Sequence, residues 1–243
     1  MKEGMMLQIS EQSEGRRSLV VAVYQLRPDR KSRAKETKAM VRALGLKAAQ
    51  CRFVDALRRP ATLIPCNAIV IAGSPFSVFE DAVREQVRAL EAVVREAHQR
   101  GIPALGICFG GQLIAQAFGG EVRRDKINEE WGTFPIFKLY CAPRDPLFDR
   151  MPPEFWAQCS HQDRIFFPPP DAVRLAGSRA CPTQAFVLKG SKTYGVQFHP
   201  ERSKTDMEAV LAATPIRMTP EVQETPDAIR VVSEFIDTIV LSS

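Results

Sequence analysis

LGICFGGQ, residues 105–112, joins the end of an apolar run to the start of a helix-forming run. Cys108 lies at this junction between Gly106 and Gly110, in the pattern G-x-C-x-G. This is the spacing of a nucleophile elbow, a sharp strand-to-helix turn that exposes a reactive side chain between small neighbours. We expect the helix N-terminus to favour the Cys108 thiolate and the Phe109 N–H to face an oxyanion. The alternative is a buried core cysteine in a glycine-rich turn.

Strand and helix patterns alternate in the first half of the chain. Buried strands are predicted at Ser18–Tyr24, Asn67–Ala72 and Pro103–Ile107, and helices at Lys31–Leu44, Asp81–Gln99 and Phe109–Phe118. This order predicts a parallel sheet with helices on both faces. After residue 120 come short strand-like segments at Thr133–Tyr140, Phe155–Ser160, Val173–Ala176, Gln184–Leu188 and Thr193–Phe198, then helical patterns at Thr205–Ala213 and Ala228–Leu241. The predicted class is α/β, with an open, mostly parallel central sheet and a small additional β element.

The composition is that of an ordinary globular protein. Of 243 residues, 45% are hydrophobic and 25% charged, which excludes wholesale disorder and a disulfide-packed miniprotein. No run of 18 uncharged apolar residues is present, so no membrane contact is expected. The first residues lack the apolar segment of a secretory signal, which predicts a cytoplasmic protein. Residues 1–17 are predicted to be a flexible segment and residues 18–243 a single domain.

The net charge of +5 is concentrated near the N-terminus. The segment from Arg16 to Lys38 holds eight basic and two acidic residues, a net charge of +6. Such a segment is either a docking surface for an acidic partner or nucleic acid, or a solvated helix face. No aromatic residues are interleaved with the charges as a nucleic-acid groove would require, so no nucleic-acid partner is predicted.

The cysteines and histidines give no metal-binding pattern. The six cysteines, at positions 51, 66, 108, 141, 159 and 181, include no C-x-x-C pair. The three histidines, at positions 98, 161 and 199, do not lie near them at zinc-ligand spacing. We therefore predict no metal and no cofactor.

A second motif, QFHPE at residues 197–201, follows a strand-like run. Pro200 keeps His199 extended, and residues two apart on an extended chain point the same way. Glu201 could therefore orient the His199 imidazole, and His199 could serve as the base for Cys108. The alternative is a surface histidine at a strand end. His161, with Asp163 two residues later, is a rival base on spacing alone.

Residues 106–112 (GICFGGQ) together with QFHPE resemble the class I (triad) glutamine amidotransferase domain, most closely the glutaminase domain of GMP synthetase and its stand-alone homologues. Four further stretches agree in order: Gly73–Val78, Glu130–Gly132, Ser160–Asp163 and Cys181–Thr183. The resemblance extends from about residue 18 to about residue 240. One departure is Gly73-Ser74-Pro75, where the family usually has Gly-Gly-Pro.

The resemblance implies a flavodoxin-like fold and assigns roles to individual residues. Cys108 would attack the side-chain amide of glutamine to form a thioester, with His199 as the base and Glu201 as its orienting acid. The oxyanion hole would consist of backbone N–H groups of Gly73, Ser74 and Phe109. The substrate-binding residues implied are Gln112, Ser160, His161 and Asp163, which makes His161 part of the pocket instead of the base.

The function implied is a glutaminase-type amidotransferase that releases ammonia for a separate synthase chain. Because no synthetase domain is recognised in the 243 residues, a stand-alone γ-glutamyl peptidase or hydrolase acting on γ-glutamyl conjugates is the alternative. A third interpretation is a non-catalytic regulatory protein, which the intact Cys108, His199 and Glu201 disfavour. A serine esterase is disfavoured because the elbow carries cysteine.

Overall fold

The computed structural model describes residue 16 and residues 18–139, 144–216 and 221–241. The strands are β1 (Val21–Gln25), β2 (Cys51–Asp55), β3 (Ala68–Ile71), β4 (Ala104–Ile107), β5 (Glu121–Arg124), β6 (Glu130–Lys138), β7 (Glu154–His161), β8 (Asp163–Phe167), β9 (Ala172–Gly177), β10 (Ala185–Leu188) and β11 (Thr193–Val196). The α-helices are α1 (Arg30–Leu44), α2 (Arg84–Gln99), α3 (Phe109–Ala117), α4 (Lys204–Ala212) and α5 (Pro226–Glu234). Among these residues, none of the helices has the length and apolar character needed to cross a membrane.

Nine of the described strands form one open sheet in the order β2-β1-β3-β4-β11-β10-β9-β6-β7. Neighbouring strands from β2 to β11 are parallel. The strands from β10 to β7 extend the sheet with antiparallel pairs. Strands β5 and β8 pair separately as a two-stranded antiparallel sheet. This is the α/β fold predicted above, and β5 with β8 supplies the additional β element.

The sheet is buried on both faces because its strands are apolar at successive positions. In β1, Val21 and Val23 belong to the core that includes residues of α1 and α5. Ala22 and Tyr24 belong to the core on the other face, with residues of α2 and α3. Burial on both sides explains why the parallel strands are continuous apolar runs instead of alternating patterns.

Several elements differ from the sequence-based prediction. Strand β2 was not predicted because CRFVD lies at the sheet edge and is mostly half-buried, so it lacks an apolar run. The predicted helix at Asp81–Gln99 begins with a 3₁₀ turn at Asp81–Val83, and the last helix continues from α5 as a π-helix at Phe235–Val240. The end of the predicted strand at Tyr140 and the flexible segment 1–17, apart from Arg16, lie outside the described residues.

The basic segment Arg16–Lys38 is partly neutralised by acidic partners. Arg27 Nη2 lies 2.6 Å from Glu36 Oε1, and Arg33 Nη1 lies 3.0 Å from Asp55 Oδ2. Arg16 pairs with Asp237. The exposed basic residues are Arg30, Lys31, Lys35 and Lys38, at the start and along the outer side of α1. Arg17 lies outside the described residues.

Candidate active site

Cys108 lies in the sharp turn between β4 and α3. Its backbone has φ 52° and ψ −104°, and it is the only non-glycine residue with positive φ in the described part of the chain. Such a conformation costs about 1–3 kcal/mol and persists only where the surroundings enforce it. Here Cys108 N donates to Val196 O at 2.8 Å, and Gln112 N donates to Cys108 O at 2.9 Å. The predicted nucleophile elbow is therefore present, with the strained cysteine at its tip.

Glycines allow the elbow because the backbones of β4, α3 and β3 touch. A Cβ atom on Gly106 would lie 2.3 Å from Gly110 O. A Cβ atom on Gly110 would lie 2.0 Å from Ile71 O, which belongs to the neighbouring strand β3. No side chain fits at these distances, so the glycines of the motif are required by close backbone approach.

His199 and Glu201 form a buried pair at the end of the segment that follows β11. His199 Nδ1 lies 2.7 Å from Glu201 Oε1, as the extended H-P-E segment predicts. The His199 backbone N–H donates to Gln158 O at 2.7 Å, which fixes the segment against β7. Among the described residues, His199 Nε2 has no hydrogen-bond partner. The ring is thus held through one nitrogen and can accept a proton at the other.

Burial keeps the imidazole of this pair neutral. Burial lowers the pKa of His199 to about 4, with a further contribution from the positive charge of Arg202, and the attraction of Glu201 only partly offsets it. Burial opposes ionisation of Glu201, but the interactions with His199 and Arg202 outweigh it and lower the pKa of that carboxyl. At neutral pH the pair is therefore a neutral imidazole beside a carboxylate.

The Cys108 thiol is buried, and this burial dominates its pKa. Burial raises the pKa of Cys108 to about 11, although Arg202 and the Phe109 N–H act in the opposite direction. Gln197 Nε2 also donates to Cys108 Sγ at 3.7 Å. The Phe109 N–H at the helix N-terminus does favour the thiolate, as expected, but desolvation of the sulfur exceeds the stabilisation from nearby donors, so the thiol is the favoured form at neutral pH.

A cavity of about 110 Å³ opens beside Cys108 and contains all four predicted substrate-binding residues, Gln112, Ser160, His161 and Asp163, in its lining. These residues come from α3, β7 and β8 and from two separate stretches of sequence, one at Gln112 and one at residues 160–163. Trp131, Arg124 and the loop of residues 74–77 complete the wall. The structure therefore brings the predicted residues together around the sulfur.

The polar side chains of this cavity are connected to one another. Gln112 Nε2 donates to Asp163 O at 2.7 Å and to Gln197 Oε1 at 3.1 Å. Because Gln197 in turn donates to the sulfur of Cys108, Gln112 orients the amide that contacts this sulfur. The Ser160 hydroxyl accepts a hydrogen bond from Arg202.

Arg124 and Ser77 are cavity residues that the sequence analysis missed. Arg124 Nε donates to Asp163 Oδ1 at 2.9 Å, and its Nη2 donates to Ser77 Oγ at 2.7 Å. Ser77 Oγ also donates to Asp163 Oδ2. Arg124 lies directly opposite Asp163 in the β5–β8 pair, and its side chain is about half exposed at 47%. Arg124 is brought to the cavity by the pairing of β5 with β8, and the sequence did not reveal this pairing.

The loop after β3 places Gly73 against the histidine ring. A Cβ atom on Gly73 would lie 2.8 Å from His199 Cε1, so glycine keeps this approach open. The Ser74 hydroxyl donates to Leu26 O at 3.2 Å and accepts from Phe76 N at 3.2 Å. Ser74 stands where the family usually has its second glycine, and its hydroxyl is hydrogen-bonded to the backbone of Leu26 and of Phe76.

The sequence matches the model of a known protein family. The model of the family "Glutamine amidotransferase class-I" matches residues 31–217. The chain is 42% identical over 105 residues to the A subunit of the glutamine-hydrolyzing GMP synthase of Methanocaldococcus jannaschii, covering 43% of this chain and 54% of the relative. It is 37% identical over 140 residues to the glutamine-hydrolyzing GMP synthase of Thermus thermophilus, covering 57% of this chain and 25% of the relative. The chain thus spans about half the length of the GMP synthase A subunits that it matches.

Solved structures share the fold. A glutamine amidotransferase from Methylobacillus flagellatus aligns with a TM-score of 0.67 at 20% identity, covering 90% of this chain and 94% of that one. A glutamine amidotransferase from Thermotoga maritima aligns with a TM-score of 0.66 at 22% identity, covering 80% and 81%. At these identities the likeness supports the fold alone.

Proposed function

The chain belongs to the class I glutamine amidotransferase family, and on this basis we propose that it hydrolyses the side-chain amide of glutamine and releases ammonia. The observation that carries the proposal is the strained Cys108, which lines a cavity and lies close enough to Glu201 of the buried His199–Glu201 pair for their charges to interact. A cysteine at an elbow, a neutral histidine and an orienting carboxylate are the three groups that acyl transfer through a thioester requires.

In the proposed reaction, Cys108 Sγ attacks the side-chain carbonyl carbon of glutamine while the Cys108 proton passes to His199 Nε2. The tetrahedral intermediate then collapses, the C–N bond breaks, and His199 returns the proton so that ammonia leaves. Water, deprotonated by the same imidazole, cleaves the resulting γ-glutamyl thioester to glutamate and free thiol. Backbone N–H groups of Gly73, Ser74 and Phe109 are proposed to stabilise the oxyanion.

A thiol of high pKa and an imidazole of low pKa favour the neutral pair in the resting state. Proton transfer from Cys108 to His199 is therefore coupled to substrate attack, when the developing negative charge moves from sulfur to the oxyanion site. The Gln197 amide donates to the sulfur and supports the thiolate during this transfer. This arrangement keeps the nucleophile unreactive until an amide is bound.

We propose that Arg124 binds the carboxylate at the far end of the substrate. The guanidinium donates from Nε to Asp163 and from Nη2 to Ser77. These two hydrogen bonds fix the orientation of the guanidinium plane at the wall of the cavity. Because guanidinium carries five N–H donors in a rigid fork, Nη1 and the second hydrogen of Nη2 are left to bind a carboxylate.

Arg124→Met is expected to raise KM for glutamine by about 10–100-fold with a smaller change in kcat, since a charged hydrogen bond contributes about 1.5–3 kcal/mol. Steady-state ammonia release measures both constants. Arg123→Met is the matched control, because Arg123 stacks over Phe166 at 4.1 Å and is not part of the cavity wall. Equal KM values for Arg124→Met and wild type would contradict the assignment.

The acceptor of the ammonia is proposed to be a synthase on a separate chain. The GMP synthase relatives support this proposal, since their names describe subunits of a glutamine-hydrolyzing synthase. A cytoplasmic location is part of the proposal. It is supported by the free thiols of all five cysteines in the described residues, which suit a reducing compartment.

A substrate panel tests the proposed function. Purified protein is offered glutamine, glutathione and other γ-glutamyl amides, and ammonia and glutamate are quantified separately. We expect equimolar glutamate and ammonia from glutamine, and stimulation of that rate by the partner synthase. Turnover of glutathione with no hydrolysis of glutamine would instead identify a γ-glutamyl peptidase, the alternative that the comparisons do not favour.

Glu201→Gln is expected to lower kcat by about 10²–10⁴-fold while the fold is retained, because an amide no longer stabilises the imidazolium or fixes its tautomer. The rate of glutamine hydrolysis gives kcat, and circular dichroism shows whether the fold is retained. Glu208→Gln, an exposed glutamate on α4, is the control and should have near wild-type activity. Wild-type rates in Glu201→Gln would reduce the site to a Cys–His dyad.

The low pKa of His199 predicts the acid limb of the pH profile. The base must be neutral, so activity is lost as pH falls through the His199 pKa of about 4, well below the ordinary histidine value. The logarithm of kcat/KM for glutamine, measured between about pH 3.5 and 8, should be flat near pH 6.5 and decline only below about pH 5. Circular dichroism at each pH separates unfolding from titration. An acid limb centred near pH 6.5 would show that the buried environment does not set this pKa.

A further inference from the structure

Three potential metal ligands converge behind the cavity wall. Glu130, Cys159 and His161 are all buried and each offers one ligand atom, and these atoms lie within 4.8 Å of one another. Cys159 and His161 are two residues apart on β7, so their side chains leave the strand on the same face. Glu130 lies directly opposite His161 on β6. We propose that Glu130, Cys159 and His161 form a binding site for a divalent transition metal of the Zn²⁺ type.

The hydrogen bonding of His161 supports a ligand role. The residue is only 4% exposed, and among the described residues neither ring nitrogen makes a hydrogen bond. Nε2 lies 3.0 Å from Glu130 Oε2, but the direction of this contact is not that of a hydrogen bond. Buried polar atoms are normally satisfied, so an imidazole enclosed beside a thiol and a carboxylate requires a partner.

The carboxylate of Glu130 is already oriented by its neighbours. Ser178 Oγ donates to Glu130 Oε1 at 2.7 Å, and Gln184 Nε2 donates to Glu130 Oε2 at 2.6 Å. Metal-binding carboxylates are usually held by hydrogen bonds of this kind, which fix the oxygen that faces the ion. The cluster therefore contains both the ligands and the supporting contacts of a site.

The donor set selects the class of metal. A thiolate, an imidazole and a carboxylate suit Zn²⁺ and Co²⁺, whereas Mg²⁺ and Ca²⁺ prefer oxygen ligands alone. Binding would convert the Cys159 thiol to a thiolate and release its proton to solvent. Of the three candidate ligands, His161 also lines the cavity beside Cys108. Occupancy would then alter one wall of the proposed substrate site.

Cobalt binding tests the site in the full-length Cys108→Ala protein, which removes the nucleophile as a competing ligand. Titration with Co²⁺ is expected to give a thiolate-to-cobalt charge-transfer band that Zn²⁺ displaces and Mg²⁺ does not. Zn²⁺ at about 100 times its Kd should raise the Tm by about 5–10 °C. A protein with no charge-transfer band and no shift in Tm would overturn the proposal.

Two further variants locate the metal. Cys108→Ala/Cys159→Ser should lose the band and the Tm shift, whereas Cys108→Ala/Cys181→Ser should keep both, because Cys181 is equally buried but lies outside the cluster. Persistence of the band without Cys159 would overturn the assignment. If the Cys159 variant does not fold, X-ray absorption at the zinc edge of the Cys108→Ala/Cys181→Ser protein decides the question. One sulfur ligand supports the site, and a shell of nitrogen and oxygen alone refutes it.

Discussion

Cys108→Ala is expected to reduce glutamine hydrolysis by at least about 10³-fold, because the thioester cannot form and the remaining groups only polarise the amide. Ammonia release by purified protein gives the residual rate. Cys66→Ala is the matched control, since Cys66 is a half-buried thiol that lies outside the cavity lining, and it should retain wild-type activity. The fold should be unchanged in both variants, as monitored by circular dichroism.

A glutamine-like affinity label provides a second measurement on the same residue. It should modify Cys108 in the wild-type protein and be competed by glutamine, because recognition of the substrate places the reactive carbon beside this sulfur. Burial raises the pKa of Cys159 well above its usual range and that of Cys181 to about 12, so these thiols should remain unlabelled. Labelling that falls mainly on Cys159 or Cys66 would contradict the assignment of the nucleophile.

Gly110→Ala is expected to lower the free energy of unfolding by about 4 kcal/mol or more, which places it among the most destabilising substitutions in this chain. The new Cβ atom would lie 2.0 Å from Ile71 O and 2.8 Å from Ile71 C, and backbone atoms of a central strand cannot move away as a flexible side chain could. Urea unfolding followed by circular dichroism measures the change in the free energy of unfolding. Poor solubility on expression would be the first sign of the destabilisation.

Gly101→Ala separates this steric effect from a purely conformational one. Gly101 has φ +68°, but no atom lies within 4 Å of its Cβ position. The substitution should therefore cost only the left-handed backbone penalty of about 1–2 kcal/mol. If Gly110→Ala were no more destabilising than Gly101→Ala, the close contact between α3 and β3 would not be the reason for glycine in the elbow.

Local sequence predicted the elements proposed to be catalytic because their geometry depends on residues that are close in the chain. The G-x-C-x-G spacing requires only a turn, and the turn forms around Cys108 as expected. The H-P-E segment requires only an extended backbone, and Nδ1 of His199 lies 2.7 Å from the Glu201 carboxylate. The continuous apolar runs similarly predicted the parallel strands, since burial on both faces leaves no alternation.

The surroundings of these elements depended on strand pairing, which the sequence does not display. Arg124 meets Asp163 through the β5–β8 register, and Glu130 meets His161 through the β6–β7 register. Each pair joins residues more than thirty positions apart, and β5 (EVRR) has one apolar residue while β8 (DRIFF) has three, so neither strand was predicted. Long-range pairing therefore positioned the wall of the cavity and the candidate metal ligands.

By itself, the sequence determined the order of the α-helices and of the buried parallel strands, the elbow at Cys108 and the orientation of His199 by Glu201, because each follows from backbone conformation within a few residues. The tertiary structure alone decided the ionisation of these groups. The depth of burial, set by packing of the whole sheet, raises the pKa of Cys108 to about 11 and lowers that of His199 to about 4. Desolvation depends on every atom that excludes water from a site, and these atoms come from distant parts of the chain.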